Sequence, residues 1–190
     1  MRRSWTGLAL AGVAVAGLAG CSGSAPDPVG VTSSAETVAS FENARSFEIR
    51  SVTDAVPQAE MPPGAKCPAK PLPSTDGGWI CDDATQTAYL AQPAALVASD
   101  VKAAEAHKSV ASAPDSWSVY LTFTDAGALV VHVATEVASQ STPPADVLLM
   151  IMDGNVISAP HVVEAVDGAR LIVVVASEAA ADALVAATTG

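Results

Sequence analysis

The sequence predicts an α+β fold in which a partly antiparallel sheet has helices packed on one face. Short apolar stretches are separated by Asp-Gly pairs at 153–154 and 167–168, which favours antiparallel hairpins over parallel crossovers. Two stretches rich in alanine and valine, residues 125–139 and 178–190, follow the helix-capping residues Thr124 and Ser177.

The composition fits one small domain with an aliphatic core. Hydrophobic residues make up 50% of the 190 residues but aromatic residues only 4%, so Val, Ala and Leu must fill the interior. The formal net charge is -11, and removing residues 1–20 takes away Arg2, Arg3 and no acidic residue, which gives -13. This charge argues against binding nucleic acid through a basic patch.

The first twenty residues have the three zones of a secretory signal. Arg2 and Arg3 form a basic start, residues 8–19 are apolar, and small residues precede Cys21. The apolar run is shorter than the roughly twenty residues that a transmembrane helix needs. Leu18-Ala19-Gly20-Cys21 resembles a bacterial lipobox, which implies cleavage before Cys21 and acylation of its thiol. The alternative is an ordinary secretory signal with an incidental cysteine.

This interpretation divides the chain into three parts. Residues 1–20 are the predicted signal peptide, residues 21–44 a lipidated and flexible linker, and residues 45–190 the folded domain. The linker consists mainly of Ser, Gly, Pro and Ala, which bury too little apolar surface to offset the cost of ordering. We expect a lipid-anchored protein at the extracytoplasmic face of the cell membrane, in contact with the membrane through Cys21.

The two remaining cysteines, Cys67 and Cys81, form an even pair in an exported protein. A disulfide is the natural prediction for that compartment, and two buried free thiols are the alternative. Two cysteines without a neighbouring pair of histidines supply too few ligands for a structural metal site.

The first half of the domain has the weaker secondary-structure signals. Residues 47–52 alternate between apolar and polar and predict a strand, and the proline-rich residues 57–78 predict a loop. A short strand is predicted at residues 88–91. Asp100 is a candidate cap for a helix that extends to about Ser112.

The second half has stronger signals. Residues 117–123 alternate as a half-buried strand, and an apolar run at 147–152 turns at an Asp-Gly pair into residues 156–159. Residues 171–175 predict the last strand, before the final helix. On the helix at 125–139, a stripe at helical spacing is predicted to face the core: Ala126, Leu129, Val130, Val133 and Val137.

The motifs of this half resemble the first periplasmic domain, or head domain, of SecD proteins. The resemblance covers roughly residues 45–190 and is nearest to the actinobacterial form of that domain. The matching segments keep the order of the family pattern: Phe123-Thr124-Asp125-Ala126-Gly127-Ala128, then Met152-Asp153-Gly154-Asn155 followed by Val156-Ile157-Ser158-Ala159-Pro160, and finally Glu178-Ala179 through Leu184 to Gly190.

The resemblance implies a SecDF P1 head-like fold that engages preprotein during Sec-dependent export. The implied partners are exported polypeptides or components of SecDF and SecYEG. In that family a transmembrane part couples movement of the head to proton flow, and no such part is expected here, so we expect binding without pulling. The sequence also departs from the pattern at His161, where an apolar residue is usual, and at residues 173–175.

No pattern in the sequence is typical of an enzyme, and no catalytic residue, cofactor or metal ligand is predicted. His107, His132 and His161 share no metal-ligand spacing, and His132 is expected on the outer side of its helix. Asp153 and Asp167 precede glycines, so turn formation explains them.

Three kinds of function remain open. The first is a binding module for exported polypeptides or Sec components. The second is a repurposed domain that binds a small molecule or an envelope component. A deep apolar pocket would favour this second hypothesis, and a filled interface between sheet and helices would count against it. A purely structural envelope protein is the third.

Overall fold

The computed structural model describes residues 30–31, 46–108 and 116–189. The predicted signal peptide and Cys21 lie outside these ranges. The described elements, in chain order, are β1 Gly30–Val31, β2 Phe47–Pro57, β3 Gly78–Asp82, β4 Thr87–Val97, β5 Val101–Lys108, β6 Trp117–Phe123, α1 Asp125–Ser139, β7 Leu148–Met152, β8 Asn155–Ser158, β9 Arg170–Val175 and α2 Glu178–Thr189.

The strands form two sheets. Sheet A has the order β1-β9-β6-β5, and sheet B has the order β3-β4-β2-β7-β8. All described strand pairs are antiparallel except β1 with β9, which is parallel. The predicted α+β class with partly antiparallel strands is therefore confirmed. The division into two sheets, and a strand within the predicted linker, were not predicted.

Both helices and both sheets share the larger of two hydrophobic clusters. Its buried side chains include Ile49 and Met150 from sheet B, Val119 from sheet A, Val131 from α1 and Leu184 from α2. The smaller cluster lies on the other face of sheet B, where the loop between β2 and β3 covers it through Leu72. Because β7 is covered on both faces, all five of its residues are buried. Neither described helix is long and apolar enough to cross a membrane.

Local signals in the second half of the sequence locate the first Asp-Gly hairpin and both helix starts correctly, but the hairpin expected at Asp167-Gly168 is wrong, because β8 belongs to sheet B and β9 to sheet A. Asp153 (φ 49°) and Gly154 (φ 80°) both adopt the left-handed conformation that a tight hairpin turn requires. The Thr124 hydroxyl accepts a hydrogen bond from the Gly127 amide (3.1 Å), and the Ser177 hydroxyl accepts one from the Ala180 amide (3.2 Å). These contacts confirm the predicted hairpin and both helix caps.

The helix predicted from Asp100 to about Ser112 is wrong over its described part. Val101–Lys108 is strand β5, paired antiparallel with β6, and residues 109–115 lie outside the described ranges. Asp100 caps a short 3-10 turn instead, where its carboxylate accepts a hydrogen bond from the Val97 amide (2.9 Å). Pairing with β6 outweighs the helical propensity of the alanines, which pack beneath the alanine-rich helix α2.

The predicted inner face of α1 is also wrong, although the helix and its bounds are right. The buried residues are Gly127, Val131, Thr135 and Ala138, which are mostly small. A Cβ atom at Gly127 would lie 2.6 Å from the Asp100 carbonyl oxygen, so the first turn of the helix lies directly against the 3-10 turn between β4 and β5, at a position where glycine is required. The predicted stripe points to solvent, with Leu129 64% and Val137 61% exposed.

Cys67 and Cys81 are joined by the predicted disulfide, with their Cα atoms 5.6 Å apart. The bond ties the loop between β2 and β3 to sheet B. Arg50, fully buried in β2, holds the same loop from within: its guanidinium pairs with the Glu48 carboxylate (2.7 Å) and donates to backbone carbonyls of the loop, including that of Pro73 (2.8 Å). The loop is therefore an integral layer of the fold.

Candidate functional site

The three histidines lie apart in the structure, each beside one acidic residue. His107 is exposed on β5, 3.6 Å from the Glu105 carboxylate. His132 lies 3.2 Å from Asp167, and His161 lies 2.8 Å from Asp146. Among residues 46–108 and 116–189, no group of three or more His, Cys, Asp or Glu side chains is arranged to hold a metal ion.

The other polar residues singled out by the sequence serve local structure. The Asp153 carboxylate accepts hydrogen bonds from the amide and the hydroxyl of Ser46 (both 3.1 Å), which joins the β7–β8 turn to the start of β2. Burial raises the pKa of the Tyr89 phenol above its ordinary value, and the nearby Asp82 carboxylate adds to this effect. Tyr89 therefore stays neutral at physiological pH within the smaller hydrophobic cluster.

An apolar cleft of about 370 Å³ opens between sheet B, α1 and the segment that follows β8. Sheet B contributes Ile49, Leu96, Leu148 and Met150 to its lining, and sheet A contributes Leu171 of β9. Val131 and Thr135 of α1 form one side of the cleft. The wall opposite the sheet is residues 160–166, here called the strap.

The strap has no regular secondary structure apart from one bridge, yet hydrogen bonds fix it at both ends. At its start, His161 contacts the Asp146 carboxylate and the Val162 amide donates to the Asp146 carbonyl (2.8 Å). At its end, the Val166 amide donates to the Thr135 hydroxyl (2.9 Å), and a ring nitrogen of His132 lies 3.2 Å from the Val166 carbonyl oxygen. The cleft is thus held open by specific contacts.

Two of the three histidines, His132 and His161, therefore help to hold the strap, a role that the sequence did not reveal. His132 is half-buried against the strap, so its predicted outward position is only partly correct. His161, the residue that departs from the SecD pattern, lines the cleft. Thr135 was missed altogether, because a threonine inside a helix gives no local sign of a partner far along the chain.

The lining of the cleft is mainly apolar. Its polar side chains are few, namely Thr135, His161 and Glu164, and the first two are engaged in holding the strap. At its mouth, Val163 is 81% exposed. The exposed apolar face of α1, formed by Leu129, Val130, Val133 and Val137, lies on the helix side turned away from the sheets.

No protein-family model matches the chain, and no curated protein matches it. Two solved structures are similar in fold. One is of SecDF, a membrane component that enhances protein export, with 18% identity and a TM-score of 0.48 over 76% of this chain and 62% of that one. The other is of SecDF in a super-membrane-facing form, with 21% identity and a TM-score of 0.45 over 76% of this chain and 19% of that one. The chain thus spans less than two thirds of either SecDF chain.

Proposed function

We propose that this protein is an anchored extracytoplasmic binding module whose ligand site is the apolar cleft beneath the strap. The observation that carries the proposal is the cleft itself. Its volume of about 370 Å³ lies within the range of about 300–1,000 Å³ typical of ligand sites. Apolar side chains line most of it, so the driving force for binding is the transfer of apolar groups out of water.

The proposed ligand is an apolar stretch of an exported polypeptide. Such a chain offers large side chains that can enter the cleft, and it lacks a folded core that would bury them. Sec components that present an apolar segment are ligands of the same chemistry.

A small apolar molecule is the second candidate ligand, and an apolar cleft in place of a filled interface between sheet and helices is the feature expected of a domain that binds one. The same volume accommodates one drug-sized molecule, and the polar groups at Thr135 and His161 are few, as in small-molecule sites. The two ligands differ in one measurable respect, because a polypeptide extends beyond the mouth of the cleft and a small molecule does not.

Replacing Val163 with aspartate is expected to weaken binding to the cleft at least tenfold, because it places a charge at the apolar mouth. Val137→Asp is the matched control: this valine is also exposed but does not line the cleft. Binding of a labelled valine- and leucine-rich peptide, and of the neutral apolar dye phenylnaphthylamine, is measured for both variants. Both substitutions lie at the surface, so the free energy of unfolding should change by less than about 0.5 kcal/mol.

The two probes decide between the candidates. Tight peptide binding that Val163→Asp weakens and Val137→Asp spares supports a polypeptide ligand. If the dye binds in the cleft and the peptide does not, the ligand is a small molecule. If Val163→Asp leaves the binding of both probes unchanged, the cleft is not the ligand site.

The proposed anchor makes a separate prediction. Cys21→Ser should move the protein from the membrane fraction to the soluble extracytoplasmic fraction, because acyl chains supply about 0.8 kcal/mol for each buried methylene group. Immunoblotting of fractionated cells measures the change, and Ser24→Ala in the same linker serves as the control. Retention of Cys21→Ser in the membrane fraction contradicts the anchor and leaves the cleft proposal intact.

A further inference from the structure

The outer edge of sheet A at β9 is only partly covered. On one side, β9 pairs with β6 along its whole length, from Arg170 to Val175. On the other side, β1 pairs with Ile172 and Val173 alone. Within the described part of the chain, the remaining β9 positions have no strand beside them on that side.

The opposite edge of sheet A is built differently. Strand β5 carries the exposed charges of Lys102, Glu105 and Lys108, and its pairing with β6 has a register shift near Ala103. Charges and irregularities of this kind prevent an edge from pairing with another chain. Strand β9 has one charge, Arg170 at its start, followed by five apolar residues. Strand β9 therefore lacks the charges and irregularities that keep an exposed edge from pairing with another chain.

The segment that covers β9 is suited to leaving it. Gly30–Val31 comes from the Ser-, Gly- and Pro-rich stretch before the domain, and it makes a parallel pairing of two residues. Parallel pairs are slightly less stable for each residue than antiparallel ones, and glycine loses more conformational freedom on ordering than other residues. A longer extended segment would form more main-chain hydrogen bonds along β9.

We propose that the β9 edge is an acceptor for an extended, apolar segment of a polypeptide, and that Gly30–Val31 occupies it when no such segment is bound. The inference rests on the proposed function and specifies how a polypeptide ligand is recognised. Strand addition recognises main-chain groups and is therefore tolerant of sequence. Leu171, which lines the cleft, belongs to the same strand, so the β9 edge and the cleft are connected through one strand.

The test removes the competing segment. The double variant Gly30→Pro with Val31→Pro loses both backbone donors of β1, whereas Ser33→Pro with Ser34→Pro adds the same prolines outside it. A labelled peptide of about eight alternating valine and threonine residues is long enough to cover β9. Fluorescence anisotropy measures its affinity for each purified chain, and hydrogen exchange measures the protection of the β9 amides.

The 30/31 variant should bind the peptide at least threefold more tightly than the unaltered chain, and the 33/34 variant should match the unaltered chain. The bound peptide should also slow amide exchange within Arg170–Val175. Equal affinity for all three chains, or protection that excludes β9, overturns the proposal. Val163→Asp tests the cleft proposal separately. If this variant binds the probes as the unaltered chain does while the peptide still protects the β9 amides, the cleft is not the ligand site and the proposal of strand addition at β9 is retained.

Discussion

Replacing Arg50 with methionine is expected to lower the free energy of unfolding by about 3–5 kcal/mol, the cost of removing one partner from a buried ion pair. The variant leaves Glu48, whose side chain is 16% exposed, without its compensating charge. It also removes hydrogen-bond donors from four backbone carbonyl oxygens, those of Leu72, Pro73, Asp76 and Gln92. Unpaired buried acceptors cost free energy in addition to the lost attraction.

Urea unfolding followed by circular dichroism measures this change. Arg170→Met is the matched control, because Arg170 is exposed at the start of β9, and its free energy of unfolding should change by less than about 0.5 kcal/mol. Arg50→Lys should also destabilise the protein, since an ammonium group cannot reproduce the planar set of donors. An Arg50→Met variant as stable as the unaltered chain would show that Arg50 does not hold the loop.

Removing the disulfide is expected to lower the free energy of unfolding by about 3 kcal/mol, the value for a closed loop of about fifteen residues. Cys67 and Cys81 are 14 positions apart, so the bond restricts the unfolded chain over about that length. The double variant Cys67→Ser with Cys81→Ser should show this loss, and a reductant should reproduce it in the unaltered chain. Adding reductant to the double variant should change nothing. Equal stability with and without reductant in the unaltered chain contradicts the prediction.

The two effects should not be additive, because the disulfide and Arg50 hold the same loop against sheet B. Once the disulfide is absent, part of the loop is already free, so Arg50→Met should cost less than it does alone. Interaction energies between neighbouring groups of this kind are about 0.5–3 kcal/mol. Measuring the free energy of unfolding of the triple variant, Arg50→Met with Cys67→Ser and Cys81→Ser, completes this thermodynamic cycle.

Sequence reasoning succeeded where the structural cause is local. The capping hydroxyls of Thr124 and Ser177 bond amides three residues ahead, and the Asp153-Gly154 turn depends on its own backbone conformation. The alternating pattern of Trp117–Phe123 shows one buried face directly. The disulfide prediction used only the number of cysteines and the inferred compartment.

Sequence-based predictions were wrong where a residue far along the chain determines the local conformation. Val101–Lys108 has helix-forming residues but pairs with β6, and the free energy of that pairing depends on residues that the local sequence does not contain. The cleft was not predicted because its strap is joined to α1 by Thr135, across 31 positions of the chain. The strap itself forms neither a helix nor a strand, so its apolar residues have no periodic pattern that would predict a cleft.

The sequence by itself determined the class of fold, the Asp153-Gly154 turn, the starts of α1 and α2, and the expected covalent link between Cys67 and Cys81, because each depends on nearby residues or on residue counts. Only the tertiary structure decided which face of α1 is buried, how the strands divide into two sheets, and that a cleft remains between them. The face of α1 that carries Gly127, Val131, Thr135 and Ala138 packs inward, which leaves Leu129 and Val137 in solvent. The periodicity of a sequence identifies the apolar face of a helix, but tertiary packing determines which face of the helix is buried.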